Sequence, residues 1–238
     1  MANGVLLFEG LTVGILPNDF IISINEAGQT ESKLILSTAY NVIPIWIKIA
    51  SDNLSHAKTA SINLAEMWSD NSDTQKSLLI SELTPSMQVI IACGIALDAL
   101  YDMLRPYSKL SETDIIKWKN NKTGRAKQIT EVIRRVYKLN VGILNDFKTS
   151  ISQIIKFRDM GVHPSLELKN ACSRSDISVL LDWKFCAYTY DNAKRCFEST
   201  LHMMIYLHEK GCNETIVTDS MNNIFAALQE LKVVKRTM

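Results

Sequence analysis

The segment Phe157-Arg158-Asp159-Met160-Gly161-Val162-His163-Pro164 places a histidine five positions after an arginine. A guanidinium keeps its charge and offers planar, paired donors to phosphate, while an imidazole titrates near neutrality and moves protons. The pair therefore suggests phosphate chemistry. Spacing alone carries little weight. With eight arginines and four histidines in 238 residues, chance gives about 0.4 matches to an arginine with four to six residues before a histidine. Two occur, the second being Arg195 and His202.

Register separates the two. Leu144, Phe147, Ile151 and Ile154 recur at steps of three, four and three, one face of an α-helix, and the next step of four lands on Arg158. A cation on an apolar stripe sits in the core, in a cleft or across an interface, and leaving it unpaired there costs roughly 3–5 kcal/mol. Asp98 is a candidate partner, because it follows Met87, Ile91 and Gly94 on a largely apolar face. In the structural alternative, a carboxylate satisfies Arg158 internally and His163 favours the helix dipole. Arg195 and His202 instead lie opposite the apolar positions Cys186, Tyr190, Ala193, Phe197, Leu201 and Met204, which predicts a solvated face.

Lys117, Lys119, Lys122, Arg125, Lys127, Arg134, Arg135 and Lys138 form a basic segment with Glu131 the only acid between positions 117 and 138. It reads either as a phosphate-backbone track or as a solvated surface. Trp118 and Tyr137 are candidates for base stacking, though aromatics at helical spacing usually pack in a core. Asp98 and Asp102, with no histidine or further acid, do not make a metal site, and no cofactor motif is present. His56 and His208 belong to no convergent motif.

The elements that must position these residues are mainly helical. The first 29 residues hold β-prone runs at Val5–Phe8, Leu11–Leu16 and Phe20–Ile24, broken by Gly10, Gly14, Pro17-Asn18 and Gly28, which predicts a small β-hairpin or arm. Residues 30–238 read as a helical domain. Helices are predicted over Glu31 to about Ile43, with a kink or restart at Pro44, and over Ile45–Trp68. Ser69–Asp73 reads as a loop, and Thr84-Pro85 as the start of a helix to Leu104 closed by Arg105-Pro106. A short helix follows a Ser111–Asp114 capping box, then helices span roughly Arg125–Leu139 and Val141–Val162. The longest is expected from near Leu180 to Gly211, and the last over Val217–Leu231.

Composition bounds the function. The 26 basic and 25 acidic side chains give a net charge of +1, so any polyanion site must be local. Five cysteines, odd in number and without a C-x-x-C pair, fit reduced thiols and predict a cytoplasmic protein. The N-terminus lacks secretory-signal patterning. The most apolar segment, Val89–Leu104, contains Asp98 and Asp102, which predicts a buried helix and no membrane association.

Arg158-Asp159 followed by His163, on one long helix with further helices after it, resembles the arginine-polar-histidine signature of the HEPN superfamily, all-α domains of RNA-cleaving toxins and defence proteins. The similarity covers about residues 84–231, and the motif is its sharp part. It implies a HEPN-like helical bundle, a homodimer, and a site shared by two protomers in which Arg158 and His163 are catalytic and Asp159 is the polar residue after the arginine. It also implies a metal-independent endoribonuclease acting on RNA, with an antitoxin or defence-complex protein as a further partner. Many members are non-catalytic binding modules, which is the competing expectation. Ser165 stands where one toxin subgroup has tyrosine, with Pro164 between it and His163, so modification at that tyrosine does not carry over.

Overall fold

The structure is a computed structural model that describes residues 11–163 and 168–235. The expected Val5–Phe8 run, Gly10, Pro164 and Ser165 lie outside these residues. Among the described residues the fold is mainly α, with eight α-helices and six short strands.

The chain opens with strands β1 (Leu11–Gly14), β2 (Phe20–Ile24), β3 (Thr30–Leu34) and β4 (Ser37–Tyr40). β2 and β3 pair antiparallel, and β1 pairs antiparallel with β4. The Asn25–Gln29 turn explains the reversal: the Asn25 side chain accepts from the Ala27 and Gln29 backbone N–H groups, and Gly28 takes φ +77°. The expected helix over Glu31–Ile43 is therefore corrected. Thr30–Leu34 finds its partner in β2, a non-local pairing that overrides its ambiguous local pattern.

Helix α1 (Ile43–Met67) starts with Pro44 in its first turn, where the missing N–H costs nothing, so this proline is neither kink nor restart. After a link at Trp68–Asn71, α2 (Ser72–Leu104), 33 residues long, folds back along α1. Asn71 caps α2 by accepting from the Thr74 N–H at 2.9 Å. The helix expected to begin at Thr84-Pro85 thus begins thirteen residues earlier, and Pro85 lies buried inside it. Packing on both sides carries α2 across the lost hydrogen bond.

A 3-10 turn at Arg105–Tyr107 ends α2, and α3 (Glu112–Asn120) begins with both halves of the expected Ser111–Asp114 capping box. Then follow α4 (Arg125–Tyr137) and α5 (Val141–Val162). The long helix expected from Leu180 is divided. A hairpin of β5 (Cys172–Arg174) and β6 (Val179–Leu181) leads through α6 (Trp183–Ala187) to α7 (Tyr190–Lys210), and α8 (Thr215–Glu230) completes the bundle.

The core is assembled around α2, which packs on α1, α4, α5 and α7. Val89, Cys93, Leu97 and Leu100 of α2 meet Ile47, Ile133, Ile154 and Met204 in one apolar cluster. By length and composition α2 is the only described helix able to cross a membrane, but more than half of its most apolar stretch is covered by the bundle. On α7 the buried face is Ala193, Cys196, Thr200, Met203, Met204 and Leu207, rotated from the expected one, while Arg195 and His202 are exposed as predicted.

Candidate functional site

Helix α5 runs in the expected register. Asn140 caps it, Ile151, Ile154 and Ile155 are buried, and the same face brings Arg158 onto α2. Its side chain, 14% exposed, crosses Gly94 so closely that a Cβ there would lie 2.7 Å from Arg158 Cδ and 3.0 Å from its Cβ. Only a glycine leaves room for this crossing.

Beyond Gly94 the guanidinium meets two carboxylates. Arg158 Nη1 donates to Asp98 Oδ2, while Nε and Nη2 donate to Asp159 Oδ1 at 3.0 and 2.7 Å. The contact expected between Arg158 and Asp98 therefore forms. Asp98 is shared, because Arg125 Nε donates to its other oxygen at 2.6 Å. Arg125 also lies 3.8 Å above the Tyr101 ring and 3.7 Å from Asp102. One carboxylate of α2 thus ties the start of α4 to the end of α5.

His163 closes α5. Its N–H donates to the Asp159 carbonyl at 2.9 Å, its backbone is extended, and the residue is exposed. The last turn is anchored from the other side by Tyr188, whose hydroxyl donates to the Phe157 carbonyl at 2.8 Å and would meet a Cβ on Gly161 at 3.1 Å. Burial pushes the Tyr188 hydroxyl up to about 12, so it stays a donor at neutral pH.

The basic segment divides. Arg125 belongs to the Asp98 network, whereas Arg134 and Arg135 both bond Glu131, and Arg135 also reaches Asp114 at 3.2 Å. Asp114, preceding the segment, is a second acid within reach. Lys117, Lys119, Lys122 and Lys127 are exposed and enter no ion pair among the described residues. Tyr137 is 3% exposed and Trp118 packs against the core, so Tyr137 is a core residue and no base-stacking platform.

Sequence reading missed a second charged cluster. Glu82 of α2 is buried and accepts from Arg174 Nη1 at 2.7 Å and from the Tyr190 N–H at the start of α7 at 3.0 Å. Arg174 also bonds Asp176 and the Phe185 carbonyl. This cluster borders a cleft of about 330 Å³. The signal was present, since Glu82 continues a stripe with Leu79, Ser86 and Val89 at steps of three, four and three. No three or more His, Cys, Asp or Glu side chains among the described residues are grouped to hold a metal ion.

No family model matches the chain, and searches of curated proteins and of solved structures find no match to it.

Proposed function

We propose that the chain is a HEPN-like helical domain acting as a metal-independent endoribonuclease, with Arg158 and His163 of two protomers in one composite site. The observation that carries this reading is the state of the Arg158 guanidinium, on the helix whose end carries an exposed His163. Of its five N–H donors, three are committed to Asp98 and Asp159, which leaves two for phosphate oxygens. Asp159 is a positioning residue, holding one edge of the guanidinium.

In this mechanism one His163 imidazole takes the proton from a ribose 2′-OH. The 2′ oxygen bonds to the adjacent phosphorus as the bond to the 5′ oxygen breaks, leaving a 2′,3′-cyclic phosphate. The second imidazole of the pair, protonated, supplies the proton for the departing 5′ oxygen. Arg158 neutralises the charge that grows on the non-bridging oxygens. No cofactor is required. Exposed Lys117, Lys119, Lys122 and Lys127 would supply a salt-sensitive backbone track, with Arg125 at its inner end. A toxin or phage-defence effector of this kind is held in check by an antitoxin or defence-complex partner.

The test is RNA cleavage in excess chelator by the wild type, Arg158→Ala and His163→Ala. Cleavage by the wild type alone is expected. Cleavage that needs a metal, or that survives both substitutions, rejects the mechanism.

A second reading is a non-catalytic interaction or anion-binding module, and one specific observation favours its interaction form, because it counts against anion binding and phosphate catalysis alike. Arg158 and Arg125 face Asp98, Asp159 and Asp102, so two cations and three carboxylates leave a formal charge of −1. Under this reading Arg158→Ala weakens assembly or ligand binding, and no RNA fragment appears with any variant.

A further inference from the structure

The N-terminal arm displays an apolar face that the described residues of its own chain leave exposed. In β2 and β3 every residue is exposed. The register puts Phe20 opposite Leu34, Ile22 opposite Ser32 and Ile24 opposite Thr30 on one face, and Ile21 opposite Lys33 and Ser23 opposite Glu31 on the other. The first face therefore carries Phe20, Ile22, Ile24 and Leu34 and no charge, while both strand charges point the opposite way. Phe20 is 56%, Ile22 61%, Ile24 74% and Leu34 53% exposed. An isolated two-stranded ribbon is at best marginally stable in water.

The arm is nevertheless fully built. Asp19 ties the two ribbons together: its carboxylate accepts from the Leu16 N–H at 2.7 Å and from the Ser37 hydroxyl at 2.9 Å, and its carbonyl accepts from the Ile35 N–H. A hydrogen-bonded ribbon with one uncharged, uncovered face is arranged for a partner.

We infer that this face packs against the same face of a second copy of the chain, forming a four-stranded sandwich around a two-fold axis. Two observations select this occupant. The exposed parts of Phe20, Ile22, Ile24 and Leu34 come to roughly 500 Å² at on the order of 200 Å² per large side chain, or about 1,000 Å² for the pair of copies, which reaches the lower bound of a specific interface. The face is also self-complementary. Two identical uncharged faces bury each other at sheet-packing distance, and Glu31 and Lys33 on the opposite faces stay in solvent. An anionic lipid surface fits poorly, because Asp19, Glu26 and Glu31 outnumber Lys33 over residues 11–40. The inference does not rest on the ribonuclease reading, and RNA cleavage is not its readout.

The test is sedimentation of the full chain as wild type, as Ile22→Lys with Ile24→Lys, and as Ile21→Lys, which alters the opposite face. The wild type and Ile21→Lys are expected to be dimers at about 10 µM, and the double variant a monomer with the far-UV circular dichroism of the wild type, its dimerisation weakened at least about 100-fold. A photo-crosslinking benzoylphenylalanine at Phe20 should join two arms in one covalent dimer. A monomeric wild type, a double variant that dimerises as tightly as the wild type, or a crosslink confined to one chain overturns the inference. So does an arm that binds anionic vesicles and forms no dimer crosslink. Should the double variant precipitate, the crosslink decides.

Discussion

Arg158 reaches Asp98 only by crossing Gly94, with its Cδ at 2.7 Å from where a side chain there would begin. One glycine on α2 thereby sets how closely α5 approaches and where the arginine ends.

Gly94→Ala gains about 1 kcal/mol of helix propensity but forces Arg158 or α5 itself to move, since the crowded atoms include the Arg158 Cβ. The variant is expected to be about 1–2 kcal/mol less stable in urea unfolding. It should lose any activity that depends on Arg158.

Asp98→Asn removes the carboxylate shared by Arg125 and Arg158. Thermal unfolding should show a loss of about 2 kcal/mol, because two half-buried cations lose their common partner. Asp102→Asn, at a side chain 69% exposed and 3.7 Å from Arg125, should change stability by less than about 0.5 kcal/mol.

Arg174→Met strands Glu82 in the core without its cation and should cost about 3–5 kcal/mol. Adding Glu82→Met should restore much of that loss, since no buried charge is then left. A double variant no more stable than Arg174→Met would show that the pair has another role.

Acid should weaken the fold through Asp176 and Glu131. The hydrogen bonds from Arg174 and Arg134 hold these carboxyls below their ordinary values of 3.8 and 4.5. A depressed folded value means the stabilisation is complete above the ordinary range and is lost as pH falls through it toward the folded values. Urea midpoints measured from pH 7 to pH 3 should fall below about pH 4.5, and Asp176→Asn should flatten that fall.

Thiol labelling should separate the cysteines. Burial pushes Cys93 and Cys196 up to about 12, so neither forms thiolate at neutral pH. Iodoacetamide treatment of the folded protein followed by mass spectrometry should find adducts on the partly exposed Cys172, Cys186 and Cys212 and none on Cys93 or Cys196.

Where local chemistry was decisive, the sequence was sufficient. The limits of α5, the Ser111 capping box and the placement of Arg158 on an apolar stripe all follow from spacing and capping residues. Asp98 was identifiable as its partner by the same register. Local signals misled where pairing partners were distant. Thr30–Leu34 has no strong period of its own and becomes a strand because β2 lies across the Asn25–Gln29 turn. Thr84-Pro85 has the form of a helix start, yet α2 continues through it because Pro85 is buried among neighbours.

The sequence by itself thus determined the helical class, the ends of α5 and the burial of its arginine, since these depend on residues within a few turns of one another. Only the tertiary structure decided that Asp98 also holds Arg125, that Gly94 admits Arg158, and that Glu82 and Arg174, 92 positions apart, share a buried bond. Contacts between separate elements depend on how those elements pack, and no periodicity along the chain encodes that distance.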